Sequence, residues 1–191
     1  ISAIQIALTD VLRAVGLKPD GMLGHSLGEI ACGYADGVLS AKQAILASYW
    51  RGKCVEDANV PRSLMAVIGL GASELEARAP AGVVLACNNS ADSITISGPY
   101  DTMVGFIEQL QKENIFARVI KTGEVGYHCY YMDAVAPSLL ARMQQVLPQP
   151  TLRSQKWISS SVPQSDWDQD RAKYSSASYY VNNLTSKVLF F

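Results

Sequence analysis

Gly21-Met22-Leu23-Gly24-His25-Ser26-Leu27-Gly28-Glu29 is an apolar run that meets a serine between two glycines and passes into a helical pattern. Lys18-Pro19-Asp20 interrupts the chain just before it, so Gly21 to His25 reads as a short buried strand and Leu27 to Tyr34 as a helix. A strand that turns into a helix at Gly-x-Ser-x-Gly is the geometry of a nucleophile elbow. The turn strains the serine backbone, and side chains at Gly24 or Gly28 would crowd the strand and the helix. Ser26 then stands at a helix N-terminus, where free N–H groups and the helix dipole favour negative charge. The Leu27 N–H is placed to stabilise an oxyanion. The plainer reading of the same residues is a tight glycine turn with a capping serine. The strand before and the helix after favour catalysis.

Outward from this turn the pattern is α/β. Ile4, Ala7, Leu8, Val11, Leu12 and Val15 recur at helical spacing and stop at Gly16. Ser40 with Gln43 predicts a capping box for a helix reaching about Ala58. From Arg62 to Thr122 the rhythm changes. Strands are expected over Ser63–Leu70, Val83–Cys87, Ser93–Ser97 and Phe116–Ile120, with Asn88-Asn89-Ser90 as a turn. Helices are expected between Ser73, capped with Glu76, and Pro80, and from Asp101 to about Asn114. The order β-α-β-β-α-β is ferredoxin-like. A helix returns from Met132 to Val146 and ends before Pro148 and Pro150. Arg153 to Tyr180 is polar and Ser-rich with no clear period, and Val181 to Phe191 starts a new ordered segment. The expected organisation is a ferredoxin-like module over 62–122, inserted between 1–61 and 123–191 of an α/β unit.

The 191 residues carry 16 Lys and Arg against 17 Asp and Glu, a net charge of −1, so composition gives no reason to expect nucleic-acid or membrane binding. No apolar run reaches the roughly 20 residues of a membrane span, and no signal peptide is visible. The four cysteines (Cys32, Cys54, Cys87, Cys129) form no CxxC pair and there are two histidines, which argues against a zinc site. Their wide spacing fits reduced, buried thiols and a cytoplasmic setting, with two disulfides as the alternative. The chain opens at Ile1 inside a helical pattern and closes inside the apolar run Val188-Leu189-Phe190-Phe191, so a fragment of a longer protein is expected.

A serine nucleophile needs a base. His25 adjoins Ser26 and should point away from it, which leaves His128. No Asp or Glu stands out to orient that base, and a main-chain carbonyl would serve by accepting the Nδ1 proton. Arg51, in Tyr49-Trp50-Arg51-Gly52, is a solvated helix residue on its face. Turned toward the serine, its planar fork would grip a carboxylate. Cys129 beside His128 suggests a thiol enzyme less readily than a small buried residue. Gly69-Leu70-Gly71 lacks the further spaced glycine of a nucleotide loop.

Gly24-His25-Ser26-Leu27-Gly28-Glu29, Tyr49-Trp50-Arg51-Gly52, Cys87-Asn88-Asn89-Ser90, Thr95-Ile96-Ser97-Gly98 and Val181-Asn182-Asn183-Leu184, in this order, resemble the malonyl/acetyl transferase domain of animal type I fatty acid synthase. The acyltransferase domains of polyketide synthases are its near relatives. The resemblance covers essentially the whole chain. It implies an α/β-hydrolase-like subdomain with a parallel sheet and a ferredoxin-like insertion. It implies that Ser26 is acylated, that His128 is its base, and that Arg51 holds the free carboxylate of malonyl. It also implies that the backbone carbonyl of Asn183 orients His128. The family draws a second oxyanion donor from a Gly-Gln-Gly motif, which this sequence lacks. Two positions depart from the family pattern. Tyr127 stands where animal fatty acid synthases have Phe, which opens methylmalonyl as a substrate, and Lys187 stands where Pro is usual.

The implied activity moves malonyl or acetyl groups from CoA to acyl carrier protein through an acyl-serine, in fatty acid biosynthesis or, alternatively, in a polyketide synthase. No cofactor belongs to the domain itself, since the phosphopantetheine is carried by the partner acyl carrier protein. Malonyl-CoA, acetyl-CoA, the carrier protein and other domains of a parent synthase are the expected partners. Rival readings are a serine hydrolase or thioesterase, which normally needs an acid in its triad, and a non-catalytic docking module.

Overall fold

In a computed structural model that describes residues 1–191, the chain forms eight α-helices and nine strands. Helix α1 (Ser2–Ala14) leads through β1 (Met22–Leu23) and the elbow to α2 (Gly28–Ala35), then α3 (Ala41–Asp57). The capping box of α3 forms as the sequence predicts. The Gln43 N–H donates to Ser40 Oγ at 3.2 Å and the Ser40 N–H to Gln43 Oε1 at 2.9 Å. Next come β2 (Ser63–Ile68), α4 (Ala72–Arg78), β3 (Val84–Ser90), β4 (Ser93–Pro99), α5 (Tyr100–Lys112) and β5 (Ala117–Ile120). These strands pair antiparallel in the order β5-β2-β4-β3. Leu64, Ala66 and Ile68 alternate along β2, Ile94 and Ile96 along β4, and all face Met103, Phe106, Ile107 and Leu110 of α5 in one buried cluster. Period two on the strands meets period 3.6 on the helix.

Local details differ from the sequence expectation. Asn88 to Ser90 belong to β3, with Ala91 and Asp92 making the turn, because these polar side chains sit at a half-buried end of the sheet. Helix α4 is capped at Gly71, not Ser73, since the Glu74 carboxylate reaches back to accept the Gly71 N–H at 2.9 Å. Pro99 precedes α5, which leaves Asp101 in the first turn facing the helix dipole.

The remaining elements follow a one-and-a-half-turn 3₁₀ segment (Tyr130–Ala134). They are α6 (Ala136–Val146), β6 (Thr151–Leu152), β7 (Trp157–Ile158), α7 (Asp170–Lys173), β8 (Tyr174–Ser175), α8 (Ala177–Thr185) and β9 (Val188–Leu189). The expected single helix from Met132 is interrupted near Val135 because Pro137, which has no N–H to donate, opens α6. A second core joins Ile30 of α2, Ala44 and Ala47 of α3, Leu139 and Met143 of α6, and Tyr179, Tyr180 and Leu184 of α8. The parallel sheet of this part consists, within these residues, of β1 beside β7. β9 runs parallel to β3, Val188 opposite Cys87, and so adds a fifth strand to the antiparallel sheet. The apolar face of α1 forms at the predicted spacing but lies open, with Leu8 and Val11 both more than half exposed.

Candidate active site

The elbow forms between β1 and α2. Ser26 has φ 54, a left-handed conformation rare for a residue with a side chain. A Cβ on Gly24 would lie 2.4 Å from the Gly28 backbone, so glycine is obligatory there. The expectation of crowding at Gly28 is corrected: a Cβ there would meet nothing nearer than Gln5 Nε2 at 3.9 Å. The Leu27 N–H at the start of α2 donates to no group of the protein.

Ser26 Oγ lies 2.6 Å from His128 Nε2. His128 comes from the loop between β5 and the 3₁₀ segment and also has a positive φ, of 58. Gly126 anchors that loop on the antiparallel sheet. Its N–H donates to Ser63 Oγ at 2.6 Å, and a Cβ would stand 2.5 Å from Ser97 Oγ. His128 Nδ1 donates to the Ser186 carbonyl at 2.9 Å. Because a carbonyl can only accept, Nδ1 carries the proton and Nε2 offers its lone pair to Ser26. The expected partner, the Asn183 carbonyl, is thereby corrected to the carbonyl three residues on. Asn183 sits inside α8 with its carbonyl along the helix, whereas Ser186, just past the helix end, is extended and turns its carbonyl into the site. Burial, then the Arg51 charge, push His128 down to about 3, so the ring is neutral at physiological pH.

Arg51 is not a solvated helix residue. It is 6% exposed on the inner face of α3. Nη2 donates to Ser26 Oγ at 3.0 Å and Nη1 to Asn183 Oδ1. Burial lowers its pKa to about 10, which leaves it cationic. Ser26, Leu27, Ser48, Arg51, Gly52 and Tyr127 line a cavity of about 230 Å³ beside the hydroxyl. A Cβ on Gly52 would meet nothing within 4 Å, so that wall is left open. The structure therefore brings Ser26, Leu27, Arg51, Tyr127, His128 and Asn183 together. His25 faces outward, its Nε2 2.9 Å from Asn89 Oδ1 of β3. All four cysteines are buried and unpaired. Cys129 Sγ donates to the Gly126 carbonyl at 3.0 Å, and burial raises its thiol pKa, which makes it a poor nucleophile.

The sequence reading missed the groups behind the site. Glu29 is fully buried, and Ser159, Ser160 and Ser161 are nearly so. The one signal for Glu29 was its place among Ile30, Cys32 and Gly33 on the core side of α2. No group of His, Cys, Asp and Glu is arranged to hold a metal ion, and no helix is long and apolar enough to cross a membrane.

With this geometry in view, the similarities of the chain to known proteins are specific. It is 37% identical over 196 residues to the reducing polyketide synthase DEP5 of Fusarium langsethiae and 35% identical to the squalestatin tetraketide synthase of a Phoma species. Each match covers 99% of this chain but only 8% of the relative's length. The acyltransferase domain of the polyketide synthase PpsC of Mycobacterium tuberculosis superposes with a TM-score of 0.87 at 27% identity, over all of this chain and 57% of that one. The malonyl CoA-acyl carrier protein transacylase of Coxiella burnetii, 24% identical with a TM-score of 0.80, shares the fold. These sequence relatives are polyketide synthases, so the expected likeness to fatty acid synthase gives way to its polyketide alternative. Residues 1–191 match the family described as the acyl transferase domain, and the chain belongs to that family.

Proposed function

We propose that the chain is the acyltransferase unit of a polyketide synthase and moves a malonyl-type acyl group from CoA to acyl carrier protein through an acyl-serine. The hydrogen bond from Ser26 Oγ to the unprotonated Nε2 of His128, 2.6 Å long and beside a buried arginine, carries this reading. Ser26 attacks the thioester carbonyl as His128 takes its proton. The Leu27 N–H meets the developing oxyanion, and His128 returns the proton to the departing CoA thiolate. The phosphopantetheine thiol of the carrier protein then attacks the acyl-serine with the roles of His128 repeated.

Arg51 selects the substrate. Its guanidinium lies in the wall of the 230 Å³ cavity, within reach of an acyl carboxylate. The same charge depresses His128, so a bound carboxylate that offsets it makes His128 a better base when the correct substrate is in place. Tyr127 and the open wall at Gly52 set how much branching at the acyl α-carbon fits, which keeps methylmalonyl beside malonyl as a substrate. Partners are the acyl-CoA, the carrier protein and the other domains of the synthase.

Incubation of the full-length protein with labelled malonyl-CoA tests this. Acyl label is expected on Ser26, and Ser26→Ala should lower transfer by about 10⁴-fold or more. Label that persists in Ser26→Ala, or that leaves as free acid without reaching carrier protein, would sink the proposal.

A further inference from the structure

Glu29 is a buried carboxylate with no cation bonded to it, three residues after Ser26 and surrounded by donors. Trp157 Nε1 and the Tyr179 hydroxyl each donate to Oε2 at 2.7 Å. The Ser160 N–H donates to Oε1 at 2.6 Å. Ser160 Oγ lies 2.8 Å from Oε1 and 2.5 Å from the Gly24 carbonyl, and its one proton serves either. A group of this kind takes part in no step of acyl transfer, yet it binds three elements at once: α2, β7 with the serines after it, and α8.

Each of these elements leads to the site. Ser161 Oγ accepts from Asn183 Nδ2 at 2.8 Å. Asn183 Oδ1 accepts from Arg51 Nη1, and Arg51 Nη2 donates to Ser26 Oγ. The Glu29 N–H returns to the Ser26 carbonyl at 3.0 Å. Hydrogen bonds and short stretches of backbone thus form a closed circuit: Glu29, Ser160, Ser161, Asn183, Arg51, Ser26. Through Tyr179 the same carboxylate fixes α8, whose end presents the Ser186 carbonyl to His128.

We propose that Glu29 is a positioning residue, whose carboxylate holds Arg51 and the Ser186 carbonyl in register with Ser26, with Ser161 as the link to the arginine. The inference rests on the acyl-transfer reading for its selectivity arm only. An amide in place of the carboxylate turns an N–H₂ toward the donors on one side and separates them. The elbow then drifts from α8. Displacement of reacting groups by about 1 Å costs on the order of 100-fold in rate.

The test uses full-length protein carrying Glu29→Gln or Ser161→Ala, with folding checked by circular dichroism. If Glu29→Gln does not fold, Tyr179→Phe, which deletes one donor and keeps the ring, replaces it. The first readout is the pH dependence of Ser26 modification by a fluorophosphonate, which needs the Ser26–His128 pair but no CoA substrate. Glu29→Gln should slow it about 10- to 100-fold and move its acid limb upward, as His128 leaves its dry, Arg51-facing site. The second readout is the malonyl-CoA to acetyl-CoA preference. Ser161→Ala should raise KM for malonyl-CoA about tenfold and for acetyl-CoA much less. Folded variants with an unmoved acid limb and an unchanged preference overturn the proposal. A wild-type protein that reacts with the fluorophosphonate but takes no label from malonyl-CoA overturns the acyl-transfer reading alone, and a moved acid limb in Glu29→Gln still supports the positioning role.

Discussion

The antiparallel sheet and the part that carries the site both close over apolar cores, but only the second also buries a carboxylate with its donors. In the sheet, β2 and β4 bury Leu64, Ala66, Ile68, Ile94 and Ile96 against one helix, and the cluster contains no charged residue. In the other part the parallel strands β1 and β7 are only two residues long. Besides the apolar packing of Met22 and Trp157, a buried polar assembly centred on Glu29 ties this part together, with Trp157, Tyr179 and Ser160 as donors. Apolar packing tolerates small displacements, whereas a hydrogen bond weakens steeply with angle and distance. The element that must place reacting atoms to a fraction of an ångström uses the less forgiving interaction, and the sheet serves as its footing through Gly126 and β9.

The sharpest way to break this contrast is in the sheet core. Ile96→Ala should cost about 2–5 kcal/mol of stability, read as a lower denaturant midpoint at unchanged slope. Transfer per folded molecule should stay near wild type. A loss of rate at full folding would show that the sheet does more than support. Next in size is Arg51→Ala, which removes charge-assisted bonds of about 1.5–3 kcal/mol and should reduce preference for malonyl over acetyl by about 10- to 150-fold.

The same variant has a signed pH consequence. Burial first, and the Arg51 charge second, hold the folded pKa of His128, about 3, below its ordinary 6.5. Removing that charge lets the folded pKa rise, so the acid limb of acetyl transfer should move to higher pH. The linked effect on stability follows the same sign. Between about 3 and 6.5 the unfolded chain binds more protons at His128 than the folded one, so its stability contribution is intact above 6.5 and declines as pH falls toward 3. The smallest effect is expected at Ser40→Ala, which deletes one half of the α3 capping box. It should cost about 1 kcal/mol in thermal unfolding, with Arg51 selectivity unchanged because it lies farther along the same helix.

How much was legible in advance follows the same division. Leu64 to Ile68 is a short apolar run, Ser93 to Ser97 alternates polar and apolar residues, and Met103, Phe106, Ile107 and Leu110 repeat at helical spacing, so the sheet and α5 were readable from local pattern. Ser26 was readable from its glycines, and His128 from the scarcity of histidines. The stretch from Arg153 to Tyr180 was not, because its order comes from partners distant in sequence. Ser160 reads as a loop residue until Glu29, on another element, accepts its N–H. Helix spacing alone left Arg51 solvated, because spacing says nothing about what packs over it, and only the family resemblance turned it toward the serine. The carbonyl that orients His128 was misplaced by three residues because only the extended backbone after α8 decides which oxygen turns inward.

The pairing of β9 with β3 sets an order of assembly. The antiparallel strands from Ser63 to Ile120 pair within one contiguous segment, whereas Val188 must find Cys87 from far beyond it. Contacts of such separation form late, since loop entropy must be overcome before they stabilise anything. Ser186, which supplies the carbonyl for His128, lies two residues before that last strand. A chain that has formed its antiparallel sheet but not yet paired β9 with β3 lacks the carbonyl that orients His128, so its serine has no set base.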